Sequence, residues 1–499
     1  MIYNINLGIG WASSGVEYAQ LYRARMFRGI HEPARFIFTD MFPRENIEHL
    51  TRNIGFKDEE VIWLYTFFTD YEISPVTWTL QDLEDTLPGT GHRMDRQGKI
   101  GRIFLPGNGN FCTVYFVRED SDLVHRVEYV SNGCLIRKDY FTYGRIYSEY
   151  YAPLNGKAHL YMRRYFNTDG STAYEEINDD DEVLYRFPDQ ILYAKEELVG
   201  YMIRCLHLTE KDTVIIDRTT GVGQAVLQNC GKARTGIIVH ADHYSKGSTT
   251  DDYILWNNYY EYSFDMYKHI RFFITATDAQ KQMMNEQFQK YIGESPEIYT
   301  IPVGSLEKLH YPASDTPRRP FSILTASRLA SEKHVDWVIE ACVLARKKIP
   351  GLTLDIYGTG AEESKLRELI QDKHADSYIR MMGQHDMTEL YQNYELYLSG
   401  STSEGFGLSL MEAVGGGLPM IGFDVPYGNP TFIDDEKNGY LIPVDENMSI
   451  PERIAALADR TVRLFTEADR SAFQRRSYEI ASGFLTEKVM QRWKTVLSR

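Results

Sequence analysis

The chain has 499 residues, with 54 Lys and Arg against 70 Asp and Glu, a formal net charge of −16. At roughly 150 residues per domain this length implies about three structural units, and 43% hydrophobic with 25% charged residues is a globular balance able to bury large cores. The acidic excess argues against a nucleic-acid-binding surface, which has to neutralise phosphates, while leaving room for a local basic pocket.

The N-terminal stretch reads as strand, loop, helix, strand. An apolar-polar run at Ile2–Asn6 leads into a glycine-rich turn over residues 8–15. Helical spacing covers 16–27, and a second strand follows at Ala34–Phe38. Helical patterning continues over 45–71. From about residue 73 to 193 the sequence alternates in period 2, punctuated by Gly107-Asn108-Gly109, Asn132-Gly133, Asn155-Gly156 and Asp169-Gly170. Strand–turn–strand repeats of this kind predict an inserted antiparallel meander. Eleven tyrosines lie between Tyr129 and Tyr193; they serve either as cross-strand packing partners or as an interaction face. Asp179-Asp180-Asp181 falls between two strand-like runs and reads as a solvated hairpin turn rather than a D-x-D metal motif.

Strand and helix then alternate again. Short apolar runs at Thr213–Ile216, 236–239 and Phe272–Thr275 have the look of buried parallel strands, and Thr277 and Asp278 supply cap chemistry for the helix after Ala276. A second series begins near Phe321, with strands at 321–325, 352–356, 379–382, 396–399 and 419–423. Helices are predicted between them at 334–347, 362–371, 387–392 and 408–414. Two such series predict an α/β protein with two doubly wound parallel sheets facing a cleft, because ligands sit at the carboxyl ends of the strands. The domain boundaries that follow are 1–72 and 196–310 for the first Rossmann-like domain, 73–195 for the meander and 311–482 for the second Rossmann-like domain. A terminal helix, within 483–499, is free to return to the first domain.

The strongest chemistry lies in the second series. Arg328 and Lys333 sit five apart on a strand-to-helix loop. A guanidinium fork beside an ammonium point charge suits a diphosphate that departs carrying negative charge. Further on, Ser403-Glu404-Gly405-Phe406-Gly407-Leu408-Ser409 leads into a helix that carries Glu412. The glycines leave backbone amides open at a helix N-terminus, a ready anion site, and each carboxylate can accept two hydroxyl donors from a sugar diol.

Together, Arg328-x4-Lys333 and Glu404-x7-Glu412 resemble the signature of retaining GT-B glycosyltransferases of the glycogen-synthase-like superfamily, glycosyltransferase family 4 type. Tyr357-Gly358-Thr359-Gly360, Gly383-Gln384-His385 and residues 399–407 (SGSTSEGFG) support the match. The tyrosine-rich meander narrows the resemblance to the branch of peptide O-N-acetylglucosaminyltransferases that begin glycosylation of serine-rich repeat adhesins in Gram-positive cocci. Wall teichoic acid glycosyltransferases form a related branch.

The resemblance implies a GT-B fold and transfer from UDP-GlcNAc to Ser or Thr hydroxyls. It places Arg328 and Lys333 on the donor diphosphate, Glu412 on the ribose, and Glu404 with Gly405, Phe406 and Gly407 on the sugar. The Leu408 and Ser409 amides meet phosphate, Gln384 or His385 edges the uracil, and Tyr357 lines the donor site. Gly15 and Val16 approach the diphosphate when the cleft closes, and either His240 or His243 contacts the sugar near the reacting carbon. No metal or other cofactor is implied, since the arginine-lysine pair takes the cation's place. The family route lets the departing phosphate take the acceptor's proton on the same face. The resemblance further implies a catalytically silent paralogue as partner, joined through the meander, and membrane association only through that complex. A teichoic acid acceptor or a non-catalytic paralogue are the alternatives; the intact four-residue signature speaks against the second.

Compartment follows from the rest of the composition. The start, MIYNINLGIGWASSG, lacks the basic and apolar regions of a signal peptide, and no window reaches the roughly 18 apolar residues of a membrane span. The five cysteines are scattered and never spaced C-x-x-C, so reduced thiols in a cytoplasmic protein are expected.

Overall fold

A computed structural model describes all residues except 10–14, 90, 108, 180–181, 313–316, 446 and 499. Most of the glycine-rich turn, Asn108 of the first hairpin signal, and Asp180 with Asp181 therefore lie outside the described residues. The chain divides into two compact units, Met1–Ile238 with Asn257–Arg271, and Val239–Trp256 with Phe272–Arg499.

The first unit carries a parallel sheet in the order Arg234–Val239, Thr213–Ile216, Ile2–Asn6, Ala34–Phe38, Val61–Trp63. The central strand is buried although it carries the polar Asn4 and Asn6, and Ile5, Ile37 and Ile216 are fully buried. The helical reading of 45–71 holds only for Ile47–Ile54, which Asn46 caps and Gly55 ends in the left-handed region at φ 108°. Beyond it Val61–Trp63 is the sheet's edge strand, too short for its period to show in sequence.

The meander is a ten-stranded antiparallel sheet running from Met94–Gln97 to Ile191–Leu192. One face buries Ile103, Cys112, Val114, Phe116, Val124 and Val127 under the helix Leu80–Thr86. That helix, absent from the period-2 reading, starts at a reciprocal cap in which Thr79 and Asp82 bond each other's backbone. On the opposite face Tyr140, Tyr147, Tyr165, Tyr174 and Phe187 form a cross-strand ladder, with centroids 4.2 Å apart at its first step and 4.3 Å between Tyr165 and Tyr174. The ladder tyrosines thus serve packing, while Tyr143, Tyr161 and Tyr193 remain exposed.

The buried Tyr174 hydroxyl donates to the Tyr65 carbonyl at 2.7 Å, tying the meander to the segment after the parallel edge strand. Tyr174→Phe leaves that carbonyl unbonded and is expected to cost about 1–2 kcal/mol, measured as a lower midpoint in urea at unchanged slope. An unchanged midpoint would show that the ladder's stacking alone holds the junction.

In the second unit Phe272–Thr275 and Ile298–Thr300 pair in parallel. A six-stranded parallel sheet runs Ile379–Gly383, Thr353–Tyr357, Ser322–Ala326, Leu396–Leu398, Met420–Phe423, Gly439–Ile442. Successive residues feed opposite cores. Ile323 packs with the helices Val335–Arg346 and Ile450–Thr466, and Leu324 with Leu408–Gly415 and Arg470–Ser482. The predicted helix at 387–392 is instead a turn closed by Asp386 on Thr388, followed by a single 3₁₀ turn at Tyr391–Asn393. The last strand and the helices Ile450–Thr466 and Arg470–Ser482 lie beyond the elements that the sequence pattern predicts. The terminal helix Thr486–Leu497 is tied to the segment after Ile298–Thr300: Thr486 N–H donates to Leu306 at 2.9 Å, and Arg492 reaches the Thr300 carbonyl.

Candidate functional site

The site is built where strands of the second unit end. After Ser322–Ala326 the chain turns through Ser327 and Leu329, whose N–H groups donate to Tyr357 and Thr359 at 3.1 and 2.9 Å. Gly358, at φ 121°, and Gly360 face the Ser327 and Leu329 carbonyls so closely that any side chain would collide with them. The Tyr357–Gly360 turn thus fits glycine because two loops meet backbone to backbone. Arg328 projects from this loop with its side chain 73% exposed, paired with Glu332 at 2.8 Å. The Glu332 carboxyl sits below the usual range, chiefly through a backbone hydrogen bond and also through Arg328.

Lys333 points the other way. Its Nζ lies 2.6 Å from Glu404 Oε2, with both side chains largely covered. The carbonyl beside it, on Glu332, accepts the Thr402 N–H at 3.1 Å, and Gly400 is pressed against the His334 carbonyl. The cationic loop and the Ser399–Gly407 loop are therefore fastened together, and Lys333 and Glu404, separated by 71 positions, become neighbours.

Gly407, in the left-handed region at φ 85°, opens the helix Leu408–Gly415. Its first N–H groups precede the first intrahelical bond, so the Leu408 and Ser409 amides form a positive end. Ser409 Oγ is oriented by the Tyr397 hydroxyl at 2.9 Å. One turn on, Glu412 Oε2 accepts the Tyr391 hydroxyl at 2.8 Å. Burial pushes the Glu412 carboxyl above the usual range, only partly offset by that bond.

Gln384 and His385 are exposed, and the His385 ring meets Tyr357 edge-on at 5.5 Å. Beneath them the Tyr357 and Tyr394 hydroxyls are 2.8 Å apart, and Tyr394 donates to the buried Asp355 at 2.7 Å. Burial works against the Asp355 charge, but the Arg380 and Arg319 bonds more than offset it and hold its carboxyl below the usual range.

The two histidines differ sharply. His243 is fully buried, with Nε2 2.6 Å from Gln287 Oε1 and Nδ1 3.1 Å from the Tyr427 hydroxyl. Burial holds its pKa down at about 4, so the ring is neutral and both nitrogens are engaged. His240 is partly exposed, and its carbonyl lies 3.5 Å from the place a Cβ on Gly405 would take.

Gly15 and Val16 belong to the other unit and begin its first helix, Gly15–Gly29. Within that unit the ends of the central strands enclose a crevice of about 340 Å³ lined by Asn6, Gly8, Glu17, Asp40 and Arg218, where the strand order reverses. Sequence reasoning did not find Tyr391, Tyr427, Gln287 or Glu332. Of these only Glu332 carried a signal, as the carboxylate one turn from Arg328. Among the described residues no group of three or more His, Cys, Asp or Glu is arranged to hold a metal ion.

Residues 93–189 match the family described as the GtfA extended beta-sheet domain, and residues 310–472 match glycosyl transferases group 1. The UDP-N-acetylglucosamine–peptide N-acetylglucosaminyltransferase GtfA subunit of Streptococcus gordonii is 54% identical over 99% of this chain and 98% of its own length. A crystal structure of a GtfA/B complex contains a chain that is 53% identical and superposes with a TM-score of 0.97, over 100% of this chain and 99% of that one. The pneumococcal O-GlcNAc transferase GtfA, solved with UDP and GlcNAc, is 48% identical with a TM-score of 0.87, over 100% and 98% of the two chains.

Proposed function

This chain belongs to the GtfA-subunit family of UDP-N-acetylglucosamine–peptide N-acetylglucosaminyltransferases, and from that premise we propose that it moves GlcNAc from UDP-GlcNAc to Ser or Thr hydroxyls of a serine-rich polypeptide. The observation that carries the reading is the Lys333–Glu404 pair at 2.6 Å beside the open end of helix Leu408–Gly415. It sets one cation, one carboxylate and free amide donors on one small patch, a match for a sugar diphosphate.

In this reading Lys333 and Arg328 neutralise the diphosphate as it departs, and the Leu408 and Ser409 amides add donors at the same charge. Arg328 is well placed for this because the ion pair it would give up on binding is exposed and weak. Glu404 and Gly405–Gly407 read sugar hydroxyls, Glu412 takes the ribose diol, and Gln384 or His385 edges the base across the Tyr357 ring. Gly15 and Val16 remain proposed diphosphate contacts. His240, not His243, faces the sugar, since His243 has no ring nitrogen to spare. The departing phosphate accepts the acceptor's proton, so the protein's work is positioning and charge stabilisation.

A serine-rich repeat adhesin as acceptor, a cytoplasmic setting and turnover without a metal cofactor complete the proposal. Among the described residues no helix is long and apolar enough to cross a membrane, and five cysteines are free thiols. A catalytically silent paralogue is the proposed partner. The meander offers it exposed apolar side chains at Ile136, Leu154 and Tyr161, near the free ends of its hairpins.

The test is incubation with UDP-GlcNAc or UDP-glucose and a serine-rich peptide, with and without the partner and with chelator. GlcNAc incorporation into peptide that resists chelation is expected. Incorporation into poly(polyol phosphate) but not peptide would overturn the acceptor assignment.

A further inference from the structure

One side chain outside the predicted signature joins two of the loops just described. After strand Met420–Phe423 the chain runs Asp424-Val425-Pro426-Tyr427-Gly428, and Tyr427 is 1% exposed. Its N–H donates to the Glu404 carbonyl at 2.6 Å, the Gly428 N–H to the same oxygen at 2.7 Å, and the Glu404 N–H returns to Pro426 at 3.3 Å. Gly428 has no space for a side chain, because Glu404 Cγ and the Phe406 carbonyl crowd it. The backbone around Tyr427 is therefore clamped to the sugar-reading loop.

Its hydroxyl goes elsewhere. It lies 3.1 Å from His243 Nδ1 and 3.8 Å from Met283 Sδ. The His243 ring lies roughly parallel to the phenol, 5.9 Å away, and is held from behind by Gln287 of helix Asp278–Tyr291. His243 is three residues from His240, whose carbonyl borders Gly405. A buried phenol needs its hydrogen bond, and here that bond ends on the histidine segment rather than on Tyr427's own loop.

We propose that Tyr427 is a positioning residue for sugar transfer, fixing the spacing between His240 and Glu404 by holding the histidine segment with its hydroxyl and the Glu404 loop with its backbone. This rests on the donor-site reading above and adds a residue that touches neither nucleotide nor sugar. A displacement of about 1 Å in a reacting constellation can cost as much as a hundredfold in rate. Loss of the tie therefore falls on kcat rather than on nucleotide binding, which Lys333, the helix amides and Glu412 supply.

Tyr427→Phe keeps the ring and the backbone clamp and removes only the hydroxyl. Transfer kcat is expected to fall about tenfold, while the Kd for UDP by calorimetry and the KM for UDP-GlcNAc stay within about twofold of wild type. Gln287→Met releases His243 from its other side and is expected to give a smaller loss of the same kind, which keeps the test alive if Tyr427→Phe unfolds. Wild-type kcat in both variants, or a kcat loss matched by an equal loss of UDP affinity, overturns the role. Failure of wild-type protein to bind UDP would instead refute the donor-site reading, so the two failures are distinct.

Discussion

Lys333→Ala and Arg328→Ala are each expected to lower transfer about 10²–10³-fold, the scale of removing one preorganised donor from a developing anion. The two substitutions should part company in stability. Arg328 is exposed and its ion pair with Glu332 is screened by water, so its loss should leave Tm unchanged within about a degree. Lys333 is covered and its loss strands the Glu404 carboxylate in a largely covered position; a Tm lower by several degrees is expected, since an unpaired, desolvated charge costs on the order of 1–3 kcal/mol. Restoring neutrality with Lys333→Met and Glu404→Gln together should recover Tm without recovering transfer. Recovery of Tm in that combination would trace the lost stability of Lys333→Ala to the stranded Glu404 charge. Wild-type turnover by folded Arg328→Ala protein would remove the diphosphate assignment.

Glycine spacing makes much of this site legible in the amino-acid sequence. Gly407 marks a loop that opens a helix, and Gly358 and Gly360 mark a backbone-to-backbone meeting, because glycine at such points has a steric reason that short-range pattern preserves. The meander is legible from its turn dipeptides and alternation. Contacts between distant segments are not. Nothing near His243 announces Gln287 or Tyr427, which come from 44 and 184 positions away. By sequence His240 and His243 are equivalent strand-end imidazoles, and burial alone tells them apart. The predicted helix over 387–392 shows the reverse error: its spacing is helical, but the Asp386 carboxylate bonds the Thr388 N–H and draws the chain into a turn.

Glu412→Gln is expected to weaken UDP binding about 10- to 100-fold, because bonds from ribose hydroxyls to a charged acceptor are worth about 1.5–3 kcal/mol and every 1.4 kcal/mol is tenfold. The loss should vanish for 2′,3′-dideoxy-UDP, which offers no diol. Tyr391 holds one carboxylate oxygen at 2.8 Å, and the other is the proposed acceptor for the sugar. Burial, with a smaller push from Asp386, sets this carboxyl above the usual range. Ribose needs the ionised form, so wild-type affinity should fall as pH is lowered through that raised value, and Glu412→Gln should lack this limb. Stability runs the opposite way. A carboxyl whose folded-state pKa exceeds its unfolded one binds protons more tightly in the fold, so its ionised form subtracts stability at neutral pH, and the loss is regained as pH falls through the folded value. Glu412→Gln is therefore expected to melt at the same temperature or slightly higher at pH 7 while losing its nucleotide. A carboxyl held above its usual range with no cation beside it among the described residues adds little to the fold, and the proposed reason for it is the diol. A variant that loses UDP affinity and several degrees of Tm together would show Glu412 to be a structural partner of Tyr391, and the ribose assignment would fall.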